Sequence, residues 1–148
     1  MENPWEFLSV PKLSNPLPTF LYAEETQQFL DRLPNEQTLL SVRDRAIVEL
    51  LYGSGIRVGE LVSLKIEQAD LEQQQLRVLG KGNKERMVLF GRAALEALET
   101  YLTTVRPRWL RSNTPWIFLN RSGTQLTARS VQRVLKALSI KSGMLKRG

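Results

Sequence analysis

Two short stretches of this chain carry residue types able to act on a phosphate. One is Gly53-Ser54-Gly55-Ile56-Arg57-Val58-Gly59-Glu60-Leu61, and the other is Gly80-Lys81-Gly82-Asn83-Lys84-Glu85-Arg86. In the first, Arg57 follows a glycine-rich break and opens a helix. Backbone N–H groups at a helix start and a planar guanidinium can together gather an anionic oxygen. Glu60, three residues on, is within reach to orient that arginine through a salt bridge. In the second, Gly80 and Gly82 leave Lys81 on a turn with room to meet another backbone closely. An ammonium at a hairpin tip is a mobile point donor, suited to giving a proton to a leaving oxygen. Taken singly, a plainer reading is favoured for each: Arg57 as a helix-start arginine paired with Glu60, and Lys81 as an exposed turn lysine. The second stretch is no nucleotide-binding P-loop. No Gly stands five before Gly80, and Gly82 occupies the place of the required Ser or Thr.

The elements that must position these residues are mostly helical. Ala23 to Leu33 reads as a short amphipathic helix with Phe29, Leu30 and Leu33 inward, stopped by Pro34-Asn35. Ser41 reads as the cap of a second helix, with Asp44 completing an approximate capping box. Ala46, Ile47, Leu50 and Leu51 supply its buried stripe, and Gly53-Ser54-Gly55 ends it. Val58 to Leu64 supports another short helix. Leu76 to Leu79 and Arg86 to Phe90 read as two strands joined by the turn Gly80 to Lys84. Leu95, Leu98, Leu102 and Val105 recur at helical spacing, with Pro107 as the predicted terminator. Trp116 to Leu119 reads as a short strand or a buried connector. Ala128 to Leu138 is a last helix. Residues 1–20, holding Pro4, Pro11, Pro16 and Pro18, read as a linker. There is no internal repeat and no low-complexity tract. The expected fold class is mixed, mainly α with a small antiparallel β hairpin or sheet.

Composition removes many alternatives. The 148 residues amount to roughly one domain with one substantial core. With no Cys there is no disulfide framework, thiolate nucleophile or zinc finger; with no His there is no Ser-His-Asp triad and no HExxH zinc site. The lack of Cys suits a reducing cytoplasm. No apolar run approaches a membrane span, and the N-terminal MENPWEFLSV is not a signal peptide. The formal net charge of +6 favours an anionic partner and is unevenly placed. Residues 1–40 hold two bases and six acids, whereas 41–148 hold nineteen bases and nine acids. From Arg106 onward ten Lys or Arg occur with no Asp or Glu.

The last helix concentrates this asymmetry. At 100° per residue, Val131, Val134, Leu135 and Leu138 share one side, and Arg129, Gln132, Arg133 and Lys136 cluster about 160° away. A solvated face is the plain reading of such a pattern. Arg and Gln also reach phosphates and purine edges when a helix enters a major groove. The acid-free neighbourhood favours nucleic-acid contact.

In order and spacing, the motifs resemble the catalytic domain of Xer-type tyrosine recombinases of the phage-integrase superfamily. The matching stretches are Asn3-Pro4, Pro11-Lys12, Leu17-Pro18, RDRAIVELLYGSGIRVGELVSL, Asp70-Leu71, LRVLGKGNKERMVLFG and the helix opening LTARSVQRVL. They run from about residue 3 to residue 138, and GIRxxEL paired with GKGxKER is highly specific. The resemblance implies that residues 1–20 are an interdomain linker and that 21–148 are part of a catalytic domain. It implies that Arg57 binds a non-bridging oxygen of the scissile DNA phosphate, and that Lys81 protonates the departing 5′ hydroxyl. Lys84, Arg86, Arg129, Gln132 and Arg133 become expected DNA contacts, with Glu60 an orienting residue. No metal or nucleotide cofactor is implied, because a phosphotyrosyl intermediate conserves the bond energy. The implied partners are duplex DNA carrying an inverted-repeat site and other recombinase subunits, with no membrane.

The sequence departs from the family pattern in its second half. The His-x-x-Arg motif, a later His or Trp and the nucleophilic Tyr are missing, and the tyrosines Tyr22, Tyr52 and Tyr101 all precede the nucleophile's place. Trp109 and Trp116 also stand too early. The N-terminal DNA-clamping domain and the C-terminal catalytic segment are expected to be absent, so the polypeptide alone is expected not to cleave DNA. A non-catalytic module that occupies recombination sites is the competing reading, and a generic basic RNA-binding or scaffold protein is a third.

Overall fold

A computed structural model describes residues 38–141. The expected linker and the expected helix from Ala23 to Leu33 lie outside the described residues. The first described helix, α1, spans Leu39–Ser54. Its cap is Thr38, whose Oγ1 accepts the Ser41 N–H at 3.1 Å, and not Ser41 itself. Starting three residues earlier lets Leu39 and Leu40 pack against the core, which Ser41 as a cap would forgo. Asp44 accordingly binds the Arg43 guanidinium instead of closing a capping box. Ala46, Ile47, Leu50 and Leu51 are fully buried as expected, and so is Val48. Gly55 closes the helix in the left-handed region at φ 76°, its N–H donating to Leu51 O at 2.9 Å. A two-residue step then leads into α2, Val58–Val62.

A three-stranded antiparallel sheet follows in the order β1 (Ala69–Asp70), β2 (Gln75–Leu79), β3 (Glu85–Leu89). The β2–β3 register pairs Leu76 with Val88, Val78 with Arg86 and Leu79 with Glu85. Alternation therefore sends Leu76 and Val78 into the core with Val88 and Arg86 beside them on the same face. The two-residue β1 has no sequence signal of its own and exists as an edge pairing on Leu76 and Gln75.

The helical pattern from Arg92 does not stop at Pro107. It runs as α3 (Arg92–Thr100), a wider π turn over Tyr101–Val105, and α4 (Arg106–Trp109). Proline lacks an N–H, and its ring collides with the carbonyl four residues back in a regular helix. In the π turn the Arg106 N–H reaches Tyr101 O, one residue further back, so Pro107 is accommodated without ending the rod. Tyr101 then locks the rod to residues 116–119. Its buried hydroxyl donates to Ile117 O at 2.8 Å and accepts the Leu119 N–H at 2.9 Å, and its ring stacks on Phe118 at 5.2 Å. Trp116 to Leu119 is thus a buried connector, with isolated bridges Lys65 to Trp116 and Leu119 to Gln125.

The last helix, α5, covers Ala128–Lys141. Thr127 caps it through Oγ1, which accepts the Ser130 N–H at 3.1 Å. Val131 and Leu135 are buried, Val134 and Leu138 partly so, and Arg129, Gln132, Arg133 and Lys136 face outward. Helices α1, α2 and α5, the sheet's inner face and the buried connector share one apolar core.

Candidate nucleic-acid interface

Arg57 stands at the N-cap of α2 in extended conformation, φ −81° and ψ 156°. Its backbone N–H donates to Glu60 Oε1 at 3.0 Å, so Glu60 folds back over the start of its own helix. The salt bridge expected between the two side chains is replaced by another. Glu60 holds Arg86 in a fork, Nη1 to Oε2 at 2.6 Å and Nη2 to Oε1 at 3.0 Å. Among the described residues no carboxylate pairs with the Arg57 guanidinium, which is half-buried at the helix start.

Glu60 is the nearly buried member of the pair, its side chain 11% exposed against 46% for Arg86. Burial by itself pushes the Glu60 carboxyl up. The Arg86 hydrogen bonds, the Arg57 N–H and the charges of Arg86 and Arg57 outweigh that push and hold it below its ordinary value. The hydrogen bond to Glu60 raises Arg86 in turn. The anion at position 60 is therefore fixed by three donors from two elements.

The turn carrying Lys81 rests on this pair. Gly80 N–H donates to Lys84 O at 2.8 Å across the base of the turn. Gly82 and Asn83 take positive φ of 74° and 60° to reverse the chain, a conformation suited to Gly and tolerated by Asn. A Cβ placed on Gly80 would lie 3.6 Å from Arg86 Nη1 and 3.7 Å from Glu60 Oε2. Lys81 and Lys84 are exposed at the tip. The start of α2 and the base of the lysine turn thus meet at Glu60.

The second group of candidates reaches α2 from its other end. Gln125 Nε2 donates to Val62 O at 2.9 Å, fixing the loop that leads into α5 against the C-terminus of α2. Arg129, Gln132 and Arg133 project from the outer face of α5, and make no hydrogen bond or ion pair with the first group among the described residues. So the structure brings together Arg57, Glu60, Arg86 and the Lys81–Lys84 turn, and places Arg129, Gln132 and Arg133 on a separate helix anchored to the same short element.

The Glu60–Arg86 fork and the Gln125 strut escaped the local spacing argument. A partial signal for the fork was present: pairing Leu79 with Glu85 sets Arg86 opposite Val78, on the sheet face that also carries core residues. Among the described residues no group of three Asp or Glu side chains is gathered so as to hold a metal ion, and no helix is long and apolar enough to cross a membrane.

This fold, a mainly helical domain with a three-stranded antiparallel sheet, is that of tyrosine recombinase catalytic domains. The crystal structure of XerA recombinase superposes with a TM-score of 0.72 at 26% identity, covering 89% of this chain and 46% of that one. XerH site-specific recombinase, bound to palindromic difH substrate in a post-cleavage complex, gives a TM-score of 0.74 at 25% identity over 90% of this chain and 38% of that one. Residues 19–147 match the Phage integrase family, and the chain belongs to that family. Its relatives include tyrosine recombinase XerC of Oceanobacillus iheyensis, 42% identical over 92% of this chain and 45% of the relative. Tyrosine recombinase XerD of Staphylococcus saprophyticus is 36% identical over 98% of this chain and 49% of the relative. The chain spans about half the length of the curated relatives it matches.

Proposed function

We propose that this chain is a duplex-DNA-binding portion of a site-specific tyrosine recombinase, holding half of the chemistry of strand exchange. The observation that carries the reading is the Arg57 guanidinium: half-buried, at a helix start, and with no carboxylate ion-paired to it among the described residues, Glu60 being engaged by Arg86. A cation so placed is free to bind a non-bridging oxygen of a scissile phosphate and to stabilise the added charge of a phosphorane. Lys81, exposed on the turn that begins at Gly80, is the group that would protonate the departing 5′ oxygen in this reading. Lys84, together with Arg129, Gln132 and Arg133 on α5, supplies phosphate and groove contacts. The partner is duplex DNA with an inverted-repeat site, engaged alongside other recombinase subunits in the cytoplasm.

The same polypeptide does not cleave DNA by itself in this reading. The 148 residues contain no His, and Tyr52 and Tyr101 are buried, 5% and 0% exposed. Burial pushes the Tyr101 hydroxyl up to about 12 and raises Tyr52 further. Neither can meet a phosphate. This favours, as a second reading, a module that occupies recombination sites without chemistry. Fluorescence anisotropy with an inverted-repeat duplex and a scrambled duplex tests the shared core: salt-dependent binding that prefers the repeat is expected. Salt-independent or absent binding overturns it. A nicked suicide duplex is expected to give no covalent adduct, and a phosphotyrosyl band on a denaturing gel refutes that.

A further inference from the structure

We propose that Arg86 is a positioning residue, which acts through Glu60 to seat the Lys81 turn against the Arg57 helix, and not a DNA contact in its own right. The proposal rests on the functional reading above, since it concerns how Arg57 and Lys81 are held relative to each other. Five observations converge on it. The β2–β3 register puts Arg86 on the same sheet face as Val78, where its half-exposed guanidinium turns to Glu60. Its guanidinium is engaged by both oxygens of a single carboxylate, in a fork that constrains direction as well as distance. That carboxylate also caps α2 through the Arg57 N–H, so one anion connects the arginine's backbone to the hairpin. At Gly80, the residue before Lys81, an added Cβ would come within 3.6 Å of Arg86 Nη1 and 3.7 Å of Glu60 Oε2, so the turn begins beside the pair. Twenty-six residues separate Glu60 from Arg86, so the fork closes a long loop instead of decorating one helix.

An arginine that touched phosphate and one that seats the turn differ in what their loss does. Glu60→Gln is the discriminating change, because Gln still caps the Arg57 N–H while the ion pair is lost. It also removes a negative charge beside the DNA-binding cations, which by charge alone strengthens DNA binding. The positioning role demands the reverse. Hydrogen exchange of the Lys81–Lys84 amides in the DNA-free 148-residue chain is expected to speed up by roughly threefold to tenfold in Glu60→Gln and Arg86→Gln alike. The double variant is expected to be no faster than either single one, since the two side chains form one interaction. Binding to the inverted-repeat duplex is expected to weaken roughly threefold or more in Glu60→Gln as well as in Arg86→Gln. Unchanged exchange in the single variants, additive effects in the double variant, or tighter DNA binding by Glu60→Gln with weaker binding by Arg86→Gln each overturns the proposal. If the unaltered chain binds no duplex at all, the functional reading fails, and the exchange measurement alone still decides whether the fork seats the turn.

Discussion

The two ends of α2 carry cations in different ways. At its start, Arg86 is held by Glu60, and among the described residues no carboxylate forms an ion pair with Arg57. Beyond its far end, the outer face of α5 presents Arg129, Arg133 and Lys136 with no ion pair among the described residues, fixed only through the backbone of a helix. One region uses an acid to place cations at set positions. The other displays them, exposed, along one face of a helix. On the proposed function, a scissile phosphate would need the first arrangement, because geometry decides catalysis. A DNA backbone would be served by the second, because contacts along it add up mainly as charge.

The largest effect is expected where the displaying region is anchored. Gly123 sits in the loop before α5 at φ 89°, and a Cβ there would lie 2.5 Å from Trp109 O and 3.1 Å from Arg111 Cγ. Backbone cannot give way as a flexible side chain does. Gly123→Ala combines left-handed strain with overpacking and is expected to lower the unfolding free energy by about 3 kcal/mol in urea titration. A decrease under about 1 kcal/mol would show that the loop adapts, and that α5 does not depend on it.

What could be read from the sequence divides along the same line. The α5 faces were legible because period and polarity lie within fourteen consecutive residues. Arg57 and Lys81 were legible as a pair of motifs. The fork between them was not, because local spacing points Glu60 at Arg57, three residues away, and the true partner is brought in by a hairpin. Pro107 misled for a related reason. It is a sound terminator of a regular helix, but the π turn at Tyr101–Val105 is selected by how Tyr101 packs on Phe118 and bonds the connector. Thr38 displaced Ser41 as cap because Leu39 and Leu40 find core partners, which no local pattern shows. In each case tertiary contact chose between alternatives that were locally near equal.

A smaller effect should separate charge from position. In Arg129→Ala with Arg133→Ala, the slope of log affinity against log salt is expected to fall by about 2, roughly 0.9 for each phosphate no longer neutralised. Stability should stay within about 0.5 kcal/mol, because both side chains are exposed and carry no ion pair among the described residues. An unchanged slope would remove α5 from the DNA surface and leave the α2 start as the whole interface. A large drop in stability would mean that the face is braced after all, and the contrast between the two regions would collapse.

The smallest effect tests the acid at the centre of the placing region. The Glu60 carboxyl is lowered in the folded chain, against burial, by Arg86 and by the Arg57 N–H and charge. A group whose folded pKa lies below its unfolded value stabilises the fold above the unfolded pKa, and that contribution is lost as pH falls through the folded one. Arg86, raised by its hydrogen bond to Glu60, stays protonated throughout, so the titration of the pair belongs to Glu60. Near neutral pH the unaltered chain should exceed Glu60→Gln by about 1 kcal/mol, the upper end for a surface pair, because this one is forked and its acid nearly buried. The difference should shrink as pH drops below the usual carboxylate range. Paired urea titrations at neutral and acid pH measure it. A difference that stays constant with pH would mean that Glu60 contributes as a neutral hydrogen-bond acceptor, which Gln should also supply. The ion pair would then not be what holds the Lys81 turn in place.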